Sequence, residues 1–305
     1  MNLRLGSRGS QLALWQANHI AARLRGEGHR VEIEMIKTTG DRLQEISFAQ
    51  VGAQTGSKGI FTKEIEEALA DGRIDLAVHS LKDLPTELPA GFELAATPPR
   101  VDARDVFVSV KFGNIAELQP GALVGTSSAR RRAQLKASRP DLEFVEFRGN
   151  VDTRLRKLGE GQVDGILLAA AGLDRLGKTE WVRERIDPEV LCPSAGQGSL
   201  GIEIRSGDTK TASALVFLDD LATRFAVTAE RTALAALGGG CQTPIGMHCR
   251  STVNGDYEIL GVVAAADGSR LIRGRQSGQD AHQLGRALAD QLLAAGANEL
   301  LGLSA

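Results

Sequence analysis

Apolar positions along the chain recur at two periods, and the alternation between them lays out the predicted elements. Leu3 to Leu5 read as a short strand running into Gly6-Ser7-Arg8-Gly9-Ser10. From Gln11 to Arg25, Leu12, Trp15, Ile20 and Leu24 fall on helical spacing. Val31 to Ile36 alternates apolar and acidic residues and predicts a strand. The polar, glycine-rich stretch from Lys37 to Gly59 is long for a connection, which makes it a candidate lid or binding loop. Phe61 to Ala70 predicts a helix, and Ile74 to Val78 a buried strand that ends in His79-Ser80-Leu81-Lys82-Asp83-Leu84-Pro85. A strand over Phe92 to Ala96 precedes the boundary at Pro98-Pro99.

The next stretch repeats this plan. Ala122 to Val124 leads into Gly125-Thr126-Ser127-Ser128 and a helix carrying Arg130, Arg131 and Arg132. A strand over Leu142 to Phe147 ends in Arg148-Gly149-Asn150, and a helix runs from Val151 to Leu158. Gly161-Gln162-Val163-Asp164 then echoes Gly72-Arg73-Ile74-Asp75 at the head of an apolar strand. The echo predicts a duplicated α/β lobe with mostly parallel sheets. In such sheets ligands sit at the carboxyl ends of the strands, so two facing lobes would make a cleft.

Cys192 to Gly198 (CPSAGQG) reads as a return crossing, followed by a strand over Ser199 to Arg205. From Asp219 the pattern changes to a small α+β domain. Its first helix, Val227 to Leu237, stops at Gly238-Gly239-Gly240, since glycine alone enters positive φ freely. Cys241 follows on this bare turn, and Pro244 fixes the exit. Strands are predicted over Ile245 to Thr252, Glu258 to Ala265 and Leu271 to Gln276, with one closing helix from Gln279 to Leu300. The predicted domains are 1–98 with 199–217, 99–198 and 218–305, consistent with 305 residues being too many for one ordinary core.

Composition adds mainly exclusions. A net charge of -2 argues against general nucleic-acid binding. Three cysteines, Cys192, Cys241 and Cys249, are too few and too odd for a disulfide framework, and no spacing suggests a metal site. The N-terminus does not read as a signal peptide, and no apolar run approaches the ~20 residues needed to span a bilayer. A reducing cytoplasm, where a free thiol persists, is the expected setting.

Charge within the second lobe is more informative. Nine Lys/Arg face four Asp/Glu between Thr126 and Lys157. Arg132, Arg156 and Lys157 read as solvated, but Arg130 and Arg131 open a helix, where cations oppose the macrodipole and call for an anion nearby. Thr126 and Ser128 add hydroxyls at the same helix N-terminus, and arginine's fork suits carboxylates. Arg8 and Ser10 make an equivalent, weaker site. The pattern predicts a small, multiply anionic ligand. Asp83 is the candidate carboxylate, able to stabilise a developing positive charge or to hold an N–H group; the alternative is an ordinary surface salt bridge with Lys82. His79 reads as a packing residue.

Taken together, SRGSQLALWQ, KGIFTKEIEEAL, DLAVHSLKDLP, GTSSARRRAQL, FRGNVDTRLRKL, ILLAAAGLDRLG, PSAGQGSLGIE and GGGCQTPIG resemble the porphobilinogen deaminase family (hydroxymethylbilane synthases) nearly end to end. The resemblance implies two periplasmic-binding-protein-like lobes, a small C-terminal α+β domain and a monomer. It implies a covalent dipyrromethane cofactor on Cys241, extended by four porphobilinogen units with loss of ammonia before hydrolysis releases the linear product. Asp83 matches the family's catalytic aspartate. Arg8, Ser10, Lys58, Ser80, Lys82, Thr126, Ser127, Ser128, Arg130, Arg131, Arg148, Arg154, Arg175 and Gln197 match positions that bind cofactor and substrate. The porphobilinogen-derived product would be handed to uroporphyrinogen III synthase. Ala53 to Ser57 looks like an insertion relative to the family, and Ser194 departs from a usual proline-alanine reading. The rival reading is a two-lobed binding module for an organic acid with a regulatory tail.

Overall fold

The computed structural model describes residues 1–38, 62–240 and 242–302. The chain divides into two units, Met1–Arg100 with Ser199–Leu221, and Val101–Gly198 with Ala222–Ala305.

In the first unit the alternation of apolar residues buries Leu3 and Leu5 along β1 (Asn2–Ser7). The helix α1 (Gln11–Gly26) starts at Ser10, whose hydroxyl accepts from the Ala13 amide, and buries Ala17, Ile20, Ala21 and Leu24 as one stripe. Strand β2 (Arg30–Met35), helix α2 (Lys63–Ala70), and strands β3 (Leu76–Ser80) and β4 (Phe92–Ala96) follow. The returning strand β10 (Leu200–Arg205) completes the order β2-β1-β3-β10-β4. β1 runs parallel to β2 and β3, and β10 runs antiparallel to both its neighbours, so four of the five strands point the same way.

The second unit contains the same plan. Its strands are β5 (Asp105–Val108), β6 (Leu123–Gly125), β7 (Glu143–Val145), β8 (Gly165–Ala169) and β9 (Val182–Arg185), in the order β7-β6-β8-β5-β9. Helices α3 (Ala129–Ser138), α4 (Val151–Gly159) and α5 (Ala170–Arg175) connect them. Here the antiparallel strand is β5, which precedes the parallel strands in sequence, whereas β10 follows them. The strand expected over Leu142 to Phe147 is shorter than predicted, and β5 and β9, four residues each, are too short to show a period.

The four-residue echo between the lobes has a physical cause. Gly72 and Gly161 take positive φ, and Ile74 and Val163 are buried behind them. The carboxylate of Asp75 accepts from the Arg4 amide at 2.8 Å, and the Asp75 amide donates to the Arg4 carbonyl at 2.8 Å. Asp164 repeats this with Leu123, at 2.9 and 2.8 Å. In each lobe one aspartate closes the end of a parallel strand pair, satisfying backbone groups that the ladder leaves open.

The rest of the chain begins with α6 (Thr209–Leu215), which belongs to the first unit. In the second, α7 (Leu221–Ala236) precedes a three-stranded antiparallel sheet, β11 (Ile245–Ser251), β12 (Tyr257–Ala264) and β13 (Leu271–Gly278). Met247, Ile259, Val263, Leu288 and Leu292 form the core between sheet and helices. The single closing helix expected from the sequence is two: α8 (Ala281–Ala294) and α9 (Ala297–Leu301). Gly296 separates them at φ +94, a conformation that ends a right-handed helix. Among the described residues, no helix is long and apolar enough to cross a membrane.

Candidate active site

In each lobe the parallel strands deliver loops to one sheet edge. In the first, β1 ends beside Arg8 and the α1 cap, while the adjacent β3 ends in a 3-10 turn over Leu81–Asp83. Gln16, from α1, donates to the Ser80 hydroxyl at 2.8 Å and ties the two loops together. Ser10 uses its own hydroxyl for the cap, Lys82 is half-buried, and Asp83 is exposed. His79 is buried against Glu203, its Nε2 2.8 Å from the carboxylate, as befits a packing residue.

The second lobe repeats the arrangement with more positive charge. Thr126, Ser127 and Ser128 follow β6, and Ser128 caps α3 as Ser10 caps α1. The Ser128 amide donates to the Thr126 hydroxyl at 3.2 Å. The Ser127 hydroxyl is buried and, among the described residues, has no hydrogen-bond partner. After β7, Arg148 is exposed beside Glu146, and Arg154 donates to the Gly149 carbonyl at 2.7 Å. Arg132 and Arg156 are exposed, as expected.

Arg130 and Arg131 are almost wholly buried, and the anion that offsets them is a residue of the chain, Asp105, at the start of β5. Arg131 donates to Asp105 Oδ1 from Nε and Nη2, at 3.0 and 2.6 Å, and to the Leu167 carbonyl from Nη1. Arg130 brings Nη1 to 2.7 Å from Oδ2, while its hydrogen bonds go to the Cys192 carbonyl and the Ser194 hydroxyl. Gln197 donates to Asp105 Oδ1 at 2.9 Å and to the Ala103 carbonyl at 2.7 Å. Burial alone would raise the pKa of Asp105, but the charges of Arg130 and Arg131 outweigh it and hold the carboxyl well below the usual carboxylate range.

That depression has a consequence for acid stability. With a folded-state value below the unfolded one of about 3.9, the carboxylate contributes stability in full above that pH and loses it as the pH falls below. The difference in urea midpoint between wild type and Asp105→Asn is therefore expected to narrow from about pH 4 downward. A difference that stayed constant into strong acid would contradict this.

The segment from Cys192 to Gly198 is held from several sides. Gln134 exchanges two hydrogen bonds with the Cys192 backbone, and the Met247 amide donates to the Pro193 carbonyl. Glu230, fully buried on α7, accepts from the amides of Gly196 and Cys249, both at 2.7 Å. Arg175 donates to the Gly198 carbonyl at 2.8 Å, and burial lowers its guanidinium to about 10, so it remains charged at neutral pH. Gly198 has φ +88, and a Cβ there would stand 2.6 Å from the Val101 carbonyl oxygen. Gly198→Ala is expected to cost on the order of 2–4 kcal/mol in urea unfolding, from strain and backbone contact together.

The end of α7 explains two of the three glycines. Gly238 sits at φ +63 and donates to the Ala235 carbonyl, and Gly239 donates to the Leu234 carbonyl, which together close the helix. A Cβ on Gly239 would meet Leu234 and Ile245 within 3 Å, whereas Gly240 has open space around it. The Gly240 amide and carbonyl both bond to the Thr243 hydroxyl, so the chain is tied across the turn. Cys241, Lys58 and Ala53 to Ser57 lie outside the described residues. The other two thiols, Cys192 and Cys249, are buried, and burial pushes the Cys192 thiol far up.

A model of the porphobilinogen deaminase dipyromethane cofactor binding domain matches residues 3–213, and one of the porphobilinogen deaminase C-terminal domain matches 224–294. The chain belongs to the porphobilinogen deaminase family. Porphobilinogen deaminase of Trichlorobacter lovleyi is 51% identical to it, covering 98% of this chain and 95% of its own. That of Thiobacillus denitrificans is 50% identical, covering 98% and 97%. Among solved structures, the methionine binding protein MetQ covers 71% of this chain and 89% of its own, with TM-score 0.46 and 13% identity.

Within this deaminase family member, sequence reasoning passed over the buried acids Asp105, Glu203 and Glu230 and the amide of Gln134. Asp105 stands among the charged residues of Val101-Asp-Ala-Arg-Asp105, and nothing local marks it as the one that is buried. The one signal for it was the pair of arginines at a helix start, which required an acid from somewhere.

Proposed function

We propose that the protein is a transferase of tetrapyrrole biosynthesis that condenses four porphobilinogen molecules head to tail on a dipyrromethane primer attached to Cys241. Ammonia leaves at each addition, and hydrolysis releases hydroxymethylbilane. The match of a cofactor-binding family model across residues 3–213 carries this reading.

The residues present fit such a group. Its acidic side chains suit the arginines and hydroxyls that follow the strand ends, and the buried Ser127 hydroxyl still lacks an acceptor or donor among the described residues. When bound, the primer would supply the free pyrrole carbon to which the first porphobilinogen unit is joined, each later unit joining the ring added before it. Cys241 supplies the thiolate that anchors it through a thioether. Arg130, Arg131, Arg148, Arg154 and Arg175, with Thr126, Ser127, Ser128 and Gln197, hold carboxylates of primer and substrate. Arg8, Ser10, Lys58, Ser80 and Lys82 do the same from the first lobe. The Asp83 carboxylate stabilises positive charge as the substrate's amine departs and holds pyrrole N–H groups in line.

On this reading the working domains are 1–98 with 199–217, 99–198 and 218–305, the last carrying the attachment cysteine. The enzyme acts as a cytoplasmic monomer and passes its unstable linear product to uroporphyrinogen III synthase. Purified protein given porphobilinogen should release ammonia and hydroxymethylbilane in a ratio of four to one. Substrate that is bound but never consumed would sink the assignment in favour of a binding module.

A further inference from the structure

We infer that Asp105 is a positioning residue for this reaction, a single buried carboxylate that fixes how Arg130 and Arg131 are presented to an acidic ligand. The inference rests on the reading above, in which those two arginines hold ligand carboxylates.

A guanidinium on a long side chain has many rotamers, and a helix N-terminus gives it no electrostatic reason to stay. Asp105 supplies both the direction and the reason. Each of its two oxygens serves a different arginine. Oδ1 accepts from Nε and Nη2 of Arg131, while Oδ2 faces Nη1 of Arg130 at 2.7 Å. The carboxylate is carried on a held backbone, since Asp105 lies in β5 paired with Ala169. The Ile186 amide donates to the Asp105 carbonyl from the other side. Gln197 adds a third donor to Oδ1 and is anchored in turn on the Ala103 carbonyl.

The arrangement differs from an ion pair that serves packing alone. One carboxylate is shared by two guanidinia, so the three groups together keep a positive charge. Arg130 spends Nε on Ser194 and Nη1 on Cys192, and among the described residues no protein group accepts from its Nη2. Asp105 thus offsets enough charge for two arginines to be buried at a helix start, and still leaves donor capacity for an anion. Preorganised donors of this kind need no reorientation when charge arrives.

The test compares wild type, Asp105→Asn, Asp105→Glu and, as a control on the exposed face of the same helix, Arg132→Ala. Each is measured for intact mass, for kcat and KM with porphobilinogen, and for urea midpoint. Wild type and Arg132→Ala are expected to carry the added mass and turn over alike. Asp105→Asn should remain folded with a lowered midpoint, with KM raised at least about tenfold and a smaller fraction of chains carrying the added mass. Asp105→Glu keeps the charge but moves the oxygens by about one bond length of ~1.5 Å, so a positioning role predicts a raised KM there too. Wild-type kcat and KM in Asp105→Glu would overturn the inference. So would activity in Asp105→Asn that falls only in proportion to the folded fraction. If neither variant folds, Asp105 serves folding alone and the inference fails as well. A wild-type protein with neither the added mass nor turnover would instead remove the underlying assignment, and this inference with it.

Discussion

Purified from cells that make porphobilinogen, the wild-type protein is expected to weigh more than its bare chain by two pyrrole units, and Cys241→Ser to weigh its bare chain only. Turnover in the variant should fall to background. The chain has three thiols, and two of them are unsuited to anchoring a primer. Cys192 is fully buried, and Cys249 is 2% exposed in the core of the C-terminal sheet. Burial drives the Cys192 thiol away from the thiolate form, the form that attacks a carbon electrophile. Serine keeps the size of the side chain but ionises far less readily, so it forms no comparable bond near neutral pH. The fold should tolerate the exchange, because the helix end upstream is closed by the amides of Gly238 and Gly239. An added mass that persists in Cys241→Ser would place the attachment elsewhere and undo the assignment.

The second large effect is expected at Asp83. Asp83→Ala should lower kcat by on the order of 10²–10⁴-fold, the range for removing a group that stabilises charge or moves a proton in the transition state. Its urea midpoint should stay close to wild type. Asp83 is exposed on the 3-10 turn after β3, where the apolar anchors are its neighbours Leu81 and Leu84. Loss of activity without loss of stability is therefore the signature. Asp83→Asn separates shape from charge: it keeps the outline of the side chain and should still lose most of the rate. Unimpaired turnover in either variant would take Asp83 out of the mechanism.

The sequence points to these two candidates for different reasons. Asp83 stands where a buried apolar strand gives way to Leu81-Lys82-Asp83-Leu84-Pro85, and a strand end is where α/β sheets place chemistry. Cys241 follows three glycines, and the structure gives separate causes for two of them: positive φ at Gly238 and close approach to Leu234 and Ile245 at Gly239. The duplicated lobe was visible in four residues because Asp75 and Asp164 do the same work, accepting a backbone amide from the neighbouring strand. The sequence predicts one closing helix where the structure has two, because the apolar stripe continues past Gly296 and periodicity does not register a single backbone reversal.

What the chain alone determined were most of its elements, its lobe repeat and the cationic strand ends, and it marked Asp83 and Cys241 as candidates for the chemistry. Each of these depends on neighbours a few positions away: spacing, caps, turn residues and local charge. Tertiary structure decided which charges meet. Asp105 and Arg131 are separated by 26 positions, and Glu230 reaches Gly196 across 34. No local pattern joins them, since the pairing follows from β5 lying beside β8 and from α7 packing near the Cys192–Gly198 segment. Sequence could show that two arginines at a helix start need an anion; only the folded chain could show that the protein supplies one itself.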